Sequence, residues 1–338
     1  MKKLISLICV LAMVLALAAC GSSAPAAATE APAASTAAPA EDVSADKTFV
    51  VGICQLVQHP ALDAATQGFK DALTEALGDK VTFQEQNASG DSATCSLICN
   101  QFVSDEVDLI MANATASIQA AASATNTIPI LGTSITDYGV ALGVDNWTGV
   151  SGTNISGTSD LAPLDGQAAM VQELFPDAKT IGLLYCSGEP NSIFQADSME
   201  ALLTDMGYSV ERYTFADSND VSSVTANACS NADVLYIPTD NTAASCTEAI
   251  NNVALSAGIP IVAGEEGIAA GCGVATLSIS YYDLGRATGE MAAEILTEGT
   301  DISTMEVRFA PAFTKEYNAD ICEALNITVP EDYVAIAK

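Results

Sequence analysis

The segment ADVLYIPTDNTAASCTEAI, from Ala232 to Ile250, changes character at its centre. Its apolar run VLYI is typical of a short buried β-strand, and Pro238 ends that strand because proline cannot donate to the ladder. Thr239 to Thr242 are polar residues of the kind that begin helices, and an alanine-rich run follows them. The segment therefore predicts a buried strand that breaks into the start of a helix.

The same order of features recurs along the chain. VDLIMANATASIQAAASAT, from Val107 to Thr125, also runs from an apolar strand through small polar residues into a helix. From Thr48 onward, strand-like runs alternate with helix-length segments, which favours parallel sheets joined by right-handed crossovers. In such sheets, ligands bind beyond the carboxyl ends of the strands, where helix N-termini present free N–H groups. The broken strand ends are thus expected to line a binding cleft.

Two halves of the chain match each other. FVVGICQLVQHPALDAATQGFKDAL parallels TIGLLYCSGEPNSIFQADSMEALL, and NTIPILGTSITDYG parallels AGIPIVAGEEGIAAG. We therefore predict an α/β fold of two similar Rossmann-like lobes, with parallel sheets joined by a hinge. The N-terminal lobe is expected to comprise residues 47–160 and about 280–308, and the C-terminal lobe residues 161–279 and about 309–338.

A leader precedes the lobes. Two lysines are followed by the uncharged apolar run from Leu4 to Ala19, whose 16 residues are short for a membrane span and suit a signal peptide at residues 1–19. The run ends in Leu-Ala-Ala-Cys, which resembles the lipobox of bacterial lipoproteins, so Cys20 is the expected site of lipidation. Residues 20–46 are rich in Ala, Pro, Ser and Thr and predict a disordered tether. We expect an extracytoplasmic protein that is lipid-anchored to the bacterial cell membrane; ordinary secretory cleavage is the alternative.

Composition and motifs argue against several classes of function. A formal net charge of −31 repels phosphate backbones, so no nucleic-acid partner is expected. The sequence has no GxGxxG, GxxxxGK[ST], HExxH or GxSxG motif. His59 is its only histidine, which argues against a histidine metal cluster and a catalytic triad. We predict that the protein is not an enzyme and uses no cofactor or metal.

The cysteines do not suggest a disulfide framework. Eight of the ten lie beyond Cys20, and they fall singly in apolar segments apart from Cys95 and Cys99. That pair is four residues apart in a predicted helix, which is a poor geometry for a disulfide, and the sequence has no CxxC zinc pattern. Most of these cysteines are expected to be small core residues.

The strand-end loops allow two interpretations of their polar residues. Gln55 and His59 follow the first strand, and they could bond a ligand or close a turn before the next helix. Thr115 and Asp240 occupy natural helix-capping positions, which would explain them without a ligand. Glu189 precedes a helix that a nearby serine can cap, which favours a ligand contact for that carboxylate.

The combined pattern resembles a known family. The segments GICQLVQHPALDAATQGFKDAL, PILGTSITD, GEPNSIFQ, YIPTDNT and SYYDLGRATGEMAAEIL resemble the ABC-transporter substrate-binding proteins related to the tryptophan and tyrosine uptake lipoproteins. The resemblance extends from Thr48 to about Lys338 and implies a type I periplasmic-binding-protein fold. It also implies a monomeric receptor that delivers a small ligand to an ABC permease and its ATPase. The ligand-binding residues that it implies are Gln55, His59, Thr115, Ser134, Glu189, Asn191, Asp240, Asn241 and Glu265.

An amino acid, with an aromatic one favoured, fits these loops. Its carboxylate would accept from helix N-terminal amides and from a hydroxyl such as that of Thr115 or Ser134. Its ammonium would pair with an acid, for which we favour Glu189 and Asp240 over Glu265. Two alternatives stay open: a sensor that signals to a membrane partner, and an importer receptor for a nucleoside, sugar or peptide.

Overall fold

The computed structural model describes residues 47–310 and 312–337. These residues form two sheets with helices packed on both faces. The predicted signal peptide, the lipidated Cys20 and the tether lie outside the described residues.

The first sheet belongs to what we call the N-terminal lobe. Its strands are β1 (Phe49–Gln55), β2 (Val81–Asn87), β3 (Leu109–Asn113), β4 (Ile130–Ile135), β5 (Ile155–Ser159) and β11 (Arg308–Phe309). They lie in the order β11-β5-β4-β3-β1-β2, and every neighbouring pair is parallel. The helices of this lobe are α1 (Pro60–Leu77), α2 (Ser92–Ser104), α3 (Thr115–Ala124), α4 (Tyr138–Leu142) and α11 (Tyr281–Glu298).

The second sheet belongs to what we call the C-terminal lobe. Its strands are β6 (Thr180–Cys186), β7 (Ser209–Phe215), β8 (Val234–Ile237), β9 (Ile261–Ala263), β10 (Ala275–Ser278), β12 (Thr314–Tyr317) and β13 (Val334–Ala335). The order is β13-β12-β10-β9-β8-β6-β7, and only the β10–β12 pair is antiparallel among the described strands. The helices are α5 (Leu164–Leu174), α6 (Pro190–Asp205), α7 (Val221–Cys229), α8 (Asn241–Ser245), α9 (Thr247–Ala257), α10 (Glu266–Cys272) and α12 (Ala319–Ala324).

Both faces of each sheet are apolar, because helices cover both sides of a parallel sheet. In β3, Leu109 and Met111 join the apolar cluster that contains Phe69 of α1. The intervening Ile110 joins the opposite cluster, which contains Phe102 of α2. This alternation follows from the twofold period of a strand. Because both faces of the sheet are buried, the polar residues lie at the ends of the strands.

The chain returns from the second sheet to the first through α11, which packs along α1. The two helices approach so closely that a Cβ built on Gly285 would lie 2.0 Å from the carbonyl oxygen of Ala65. Glycine at this position therefore permits the contact. As a result, the start of α11 at Tyr281 is held beside the first lobe immediately after the chain leaves β10.

The predicted α/β fold with two parallel sheets is confirmed. Two differences concern the elements that border the cleft. β5 was not expected from the sequence, and the helix that we expected after Pro238 is two helices, α8 and α9, which meet at Cys246. No proline or glycine marks that break, and α9 packs against α7 and α10, so tertiary contacts set its direction. The predicted lobe boundaries stay a prediction. They assign β5 and β11 to the N-terminal lobe and β10 to the C-terminal lobe, and these strands lie in the first and second sheets, respectively.

The cysteines behave as small core residues. All eight in the described chain are free, and six of them are buried. Cys54 and Cys95 each lie near the Ser117 hydroxyl, at 3.7 and 3.6 Å from their sulfur atoms. Burial contributes to raising the pKa of the Cys186 and Cys272 thiols, which makes thiolate chemistry unfavourable there.

Candidate ligand-binding site

The carboxyl ends of the strands in the two sheets supply the polar residues of one cleft. The N-terminal wall carries His59 after β1, Asn113 and Thr115 at β3 and α3, Ser134 in β4, and Asp160 after β5. The C-terminal wall carries Glu189 and Asn191 after β6, Asp240 and Asn241 after β8, and Glu265 after β9. The strand order places the residues of each wall side by side.

One hydrogen bond joins the two walls of this cleft, and a second joins the segments where the chain passes between the sheets. His59 Nε2 lies 3.3 Å from Asn241 Oδ1, which links the N-terminal wall to the C-terminal wall. The Tyr281 hydroxyl donates to Asp160 Oδ2 at 2.9 Å, which links the two segments where the chain passes between the sheets. Helices α4 and α6, from opposite lobes, are also in contact. The two walls therefore face each other at short range.

The N-terminal wall contains buried polar atoms that no described residue satisfies. We call such an atom bare: it is buried and has no hydrogen-bond partner among the described residues. The bare atoms of this wall are His59 Nδ1, Asn113 Oδ1, Ser134 Oγ and Asp160 Oδ1. They follow four adjacent strands, in the order β1, β3, β4 and β5. Because an unsatisfied buried polar group costs about 1–3 kcal/mol, a row of them indicates a place for a polar ligand.

The backbone of this wall is also strained. Ala114 has a φ of 90° and Ser134 a φ of 57°, both in the left-handed region that favours glycine. The two residues lie next to each other in space, because Ala114 donates its N–H to the carbonyl of Thr133. Alanine cannot cap α3, which begins at Thr115, so the first N–H groups of α3 are available to an anion. Strain of this kind is concentrated at ligand-binding sites.

Asp160 is the acid that the sequence analysis missed. It lies directly after β5, and its side chain is 3% exposed. Burial raises its pKa to about 6, and no lysine or arginine of the described chain forms an ion pair with it. The signal was weak because β5, with the sequence ISGTS, has one large apolar residue and was not recognised as a strand.

Glu189, by contrast, is fully engaged within the C-terminal wall. Its two carboxylate oxygens accept five hydrogen bonds, from the N–H groups and side chains of Asn241 and Thr242 and from Asn191 Nδ2. These donors include the first N–H groups of α8. The carboxylate therefore caps α8 from a different loop.

Asp240 and Glu265 are likewise occupied as caps. Asp240 accepts from the N–H of Ala243 at 2.8 Å and from the N–H of Cys186 at 2.6 Å, one on each oxygen. Burial, reinforced by the charge of Glu189, raises the pKa of Asp240. Glu265 accepts from the first N–H groups of α10 on both oxygens, and burial raises its pKa to about 7.

The remaining predicted residues differ in whether the protein itself satisfies their side-chain polar atoms. Gln55 donates to Asp63 Oδ1 at 2.6 Å and accepts from Thr66, so its amide is engaged within the N-terminal lobe. Asn191 donates to the Thr239 carbonyl, and its Oδ1 is bare. The structure thus places eight of the nine predicted residues on the cleft walls and Gln55 at the end of β1. Contact of these nine residues with a ligand stays a prediction.

Two cavities flank this polar centre. One, of about 380 Å³, is lined by Leu56 and Gly90 from one lobe and by Glu189, Asn241 and Thr242 from the other. A second, of about 400 Å³, is lined by Pro60, Glu265 and Tyr281. In the part of the chain that the structure describes, no group of three or more His, Cys, Asp or Glu residues is placed to hold a metal ion.

Comparison with known proteins settles the family. The family described as ABC transporter substrate binding protein matches residues 50–338. The chain belongs to this family. It is 38% identical over 280 residues to the tyrosine-binding protein of Clostridioides difficile (strain R20291), which covers 82% of this chain and 81% of that relative. The family consists of substrate-binding receptors, so this protein has a small-molecule ligand and an ABC permease as its partner.

Two solved structures of related proteins are similar to this substrate-binding protein. One is a Streptococcus pneumoniae protein in complex with L-Trp, 31% identical, covering 84% of this chain and 97% of its own, with a TM-score of 0.80. The other is the ligand-free, open structure of a Clostridium difficile substrate-binding protein with adhesive properties, 37% identical, covering 86% and 99%, with a TM-score of 0.66. By TM-score, the structure is more similar to the L-Trp complex than to the ligand-free, open structure.

The substrate-binding proteins of ABC importers are extracytoplasmic. Within residues 47–310 and 312–337, no helix is both long enough and apolar enough to cross a membrane.

Proposed function

We propose that this substrate-binding protein takes a free aromatic α-amino acid into the cleft and presents it to its permease in an importer. The observation that carries the proposal is Asp160, a buried carboxylate with one bare oxygen. A buried charge is tolerated only when it is paired, and an ammonium group of the ligand would supply the missing partner. This assignment replaces the pairing with Glu189 or Asp240 that we favoured from the sequence, because both acids already accept from the protein.

The ligand carboxylate finds its complement beside Asp160. Ser134 lies in β4, between β5 and β3 in the sheet, and its hydroxyl is bare. The uncapped N-terminus of α3 at Thr115 is adjacent, and it favours a negative group. Since an α-amino acid carries its ammonium and carboxylate on one carbon, neighbouring strand ends can hold both.

The aromatic side chain is supported by the relatives, which are named for tyrosine binding or contain L-Trp. A sugar or a neutral nucleoside is disfavoured because it would leave the Asp160 carboxylate buried without a cation. Closure over the ligand would bring the two walls together, since each contributes residues to the cleft.

Calorimetric titration of the purified protein tests the proposal. L-Tyr and L-Trp should bind tightly, whereas N-acetyl-L-tyrosine, which lacks the ammonium, and tyramine, which lacks the carboxylate, should bind much more weakly. Glucose and uridine serve as negative controls. Equal binding of L-tyrosine and N-acetyl-L-tyrosine would refute the ammonium assignment, and tighter binding of a sugar or nucleoside would refute the ligand class.

We also propose that the protein acts as a monomer anchored to the membrane by lipid on Cys20. The support is the Leu-Ala-Ala-Cys sequence at the end of the apolar leader. Metabolic labelling with a radioactive fatty acid should mark the parent protein and leave Cys20→Ala unlabelled. A labelled Cys20→Ala product would contradict the anchor.

A further inference from the structure

A hydrogen-bonded chain crosses the cleft through His59. Its Nε2 lies 3.3 Å from Asn241 Oδ1, and Asn241 Nδ2 donates to Glu189 Oε2 at 2.7 Å. A carboxylate can only accept, so this second contact fixes the orientation of the amide. The carbonyl oxygen of Asn241 is therefore the atom that faces the histidine.

This orientation determines the state of the imidazole. Because Asn241 Oδ1 can only accept, Nε2 of His59 must carry the hydrogen of the bond. Burial lowers the pKa of His59, so the ring is neutral near pH 7. A neutral ring that is protonated on Nε2 has a lone pair on Nδ1, and this Nδ1 is bare.

Asn191 supplies a second acceptor from the opposite lobe. Its Nδ2 donates to the Thr239 carbonyl at 3.0 Å and to Glu189 Oε2 at 3.2 Å, which fixes its amide in the same way. Asn191 Oδ1 is consequently an acceptor, and it is also bare. Glu189 therefore connects two bare acceptors, one from each wall, in a single hydrogen-bonded cluster.

We infer that His59 Nδ1 accepts a hydrogen bond from an O–H or N–H group on the ring of the ligand. This inference rests on the proposed function and narrows its ligand class to aromatic amino acids whose side chain is a donor, such as a phenol or an indole. The same site disfavours a phenyl ring, because the acceptor would then stay buried and unpaired.

The positions of the two ends agree with such a ligand. Asp160 follows β5 and His59 follows β1, and three strand intervals separate β5 from β1 in the sheet. At the usual strand spacing this corresponds to about 14 Å. An aromatic amino acid with a ring donor and a hydrogen bond at each end approaches this separation of the strands, whereas a small aliphatic one is far shorter.

A series of matched ligands tests the inference on the unmodified protein. L-Tyr should bind about 10- to 100-fold more tightly than L-Phe, because the phenol satisfies an acceptor that L-Phe leaves unpaired. O-methyl-L-tyrosine has no donor and should bind as weakly as L-Phe or more weakly. Equal affinities for L-Tyr and L-Phe would overturn the inference, while binding of both would leave the proposed function intact. Failure of all aromatic amino acids to bind would instead refute the proposed function.

A substitution identifies the atom responsible. His59→Leu should reduce the preference for L-Tyr over L-Phe by about tenfold, because only L-Tyr loses a ring hydrogen bond, whereas loss of the bond to Asn241 affects both ligands alike. Gln58→Ala, in the exposed neighbouring residue, is the matched control and should keep the parent preference. An unchanged preference in His59→Leu would overturn the role of His59. Should this variant fail to fold, the ligand series on the parent protein still decides whether a ring donor is required.

Discussion

On the N-terminal wall of the cleft, Asp160 and Ser134 keep bare atoms beside a strained backbone. On the C-terminal wall, Glu189, Asp240 and Glu265 each use both carboxylate oxygens to bind N–H groups of the protein. The acids of the two walls are therefore in opposite states: Asp160 keeps a free oxygen, whereas Glu189, Asp240 and Glu265 are satisfied by the protein.

This difference indicates which wall contacts the charged groups of the ligand and which wall is held rigid by its own hydrogen bonds. The free groups of the N-terminal wall are complementary to a zwitterion, whereas the satisfied acids of the C-terminal wall hold the starts of α8 and α10 in place. A rigid wall can close on a ligand that the other wall has oriented. Carboxylates on the first wall should therefore control affinity, and those on the second should control stability.

The largest effect is expected for Asp160→Asn. Removing the charge leaves the ligand ammonium unmatched, which should cost about 2–5 kcal/mol of binding free energy by analogy with buried ion pairs. Titration calorimetry with L-Tyr measures this loss. Asp283→Asn, in an exposed carboxylate of α11, is the control and should change affinity by less than about 0.5 kcal/mol. Parent-like affinity in Asp160→Asn would show that the bare oxygen is not the ammonium site.

Glu189→Gln should reduce the stability of the protein more than its affinity for the ligand. An amide cannot accept on both of its terminal atoms, so N–H groups at the start of α8 lose their partners, and stability should fall by about 1–3 kcal/mol. Asp240→Asn should have the same consequence, because its two oxygens accept from two backbone N–H groups. Urea denaturation measures the change. Normal stability with a loss of binding as large as in Asp160→Asn would place the ammonium on the C-terminal wall.

Ser134→Gly should have opposite effects on stability, through backbone strain, and on binding, through loss of the hydroxyl. Glycine adopts the left-handed conformation without the cost that serine incurs, so stability should rise by about 0.5–1 kcal/mol while binding weakens by about 0.5–1.5 kcal/mol. Glu106→Gly relieves a similar φ of 53° at an exposed position and should raise stability without changing affinity. Unchanged binding in Ser134→Gly would remove the hydroxyl from the site.

The pH dependence of stability should distinguish one acid on each wall. The folded-state pKa values of Asp160 and Glu265, about 6 and about 7, lie above the unfolded values near 4. The stability that these groups contribute is therefore fully present below about pH 4 and is lost as the pH rises through about 6 and 7. His59 has a lowered pKa and acts in the opposite direction, which reduces the net change. The ligand-free protein should have a larger free energy of unfolding at pH 5 than at pH 8.

Asp160→Asn sharpens this test. The variant should lose the part of the pH dependence near pH 6 and keep the part at pH 7 and above, to which Glu265, Glu316 and Asp240 contribute. Urea denaturation across pH 5 to 8 measures both parts. A parent-like curve would show that Asp160 does not titrate in this range, which would contradict its burial as a partly neutral acid.

The sequence by itself predicted most of the strands and helices of the two sheets and the strand ends that form the cleft walls. Apolar runs that break into polar helix starts are local patterns, and they set the ends of β1, β3, β6 and β8 within about two residues. The element that carried no such pattern was β5, whose small residues are buried only because the sheet covers them. Because β5 was not predicted, Asp160, which follows it directly, was not predicted as a site residue.

Only the tertiary structure decided which acid stays free. Asp240 and Glu189 follow strands just as Asp160 does, and their local sequences cannot show where their oxygens are used. Asp240 is occupied by the N–H of Cys186, 54 residues away, and Glu189 by the start of α8, more than 50 residues away. Asp160 keeps a bare Oδ1, and its Oδ2 accepts from the hydroxyl of Tyr281, which comes from a third region of the chain. The burial of a carboxylate and the donors available to it depend on the residues around it in the folded protein, and those residues come from distant parts of the sequence.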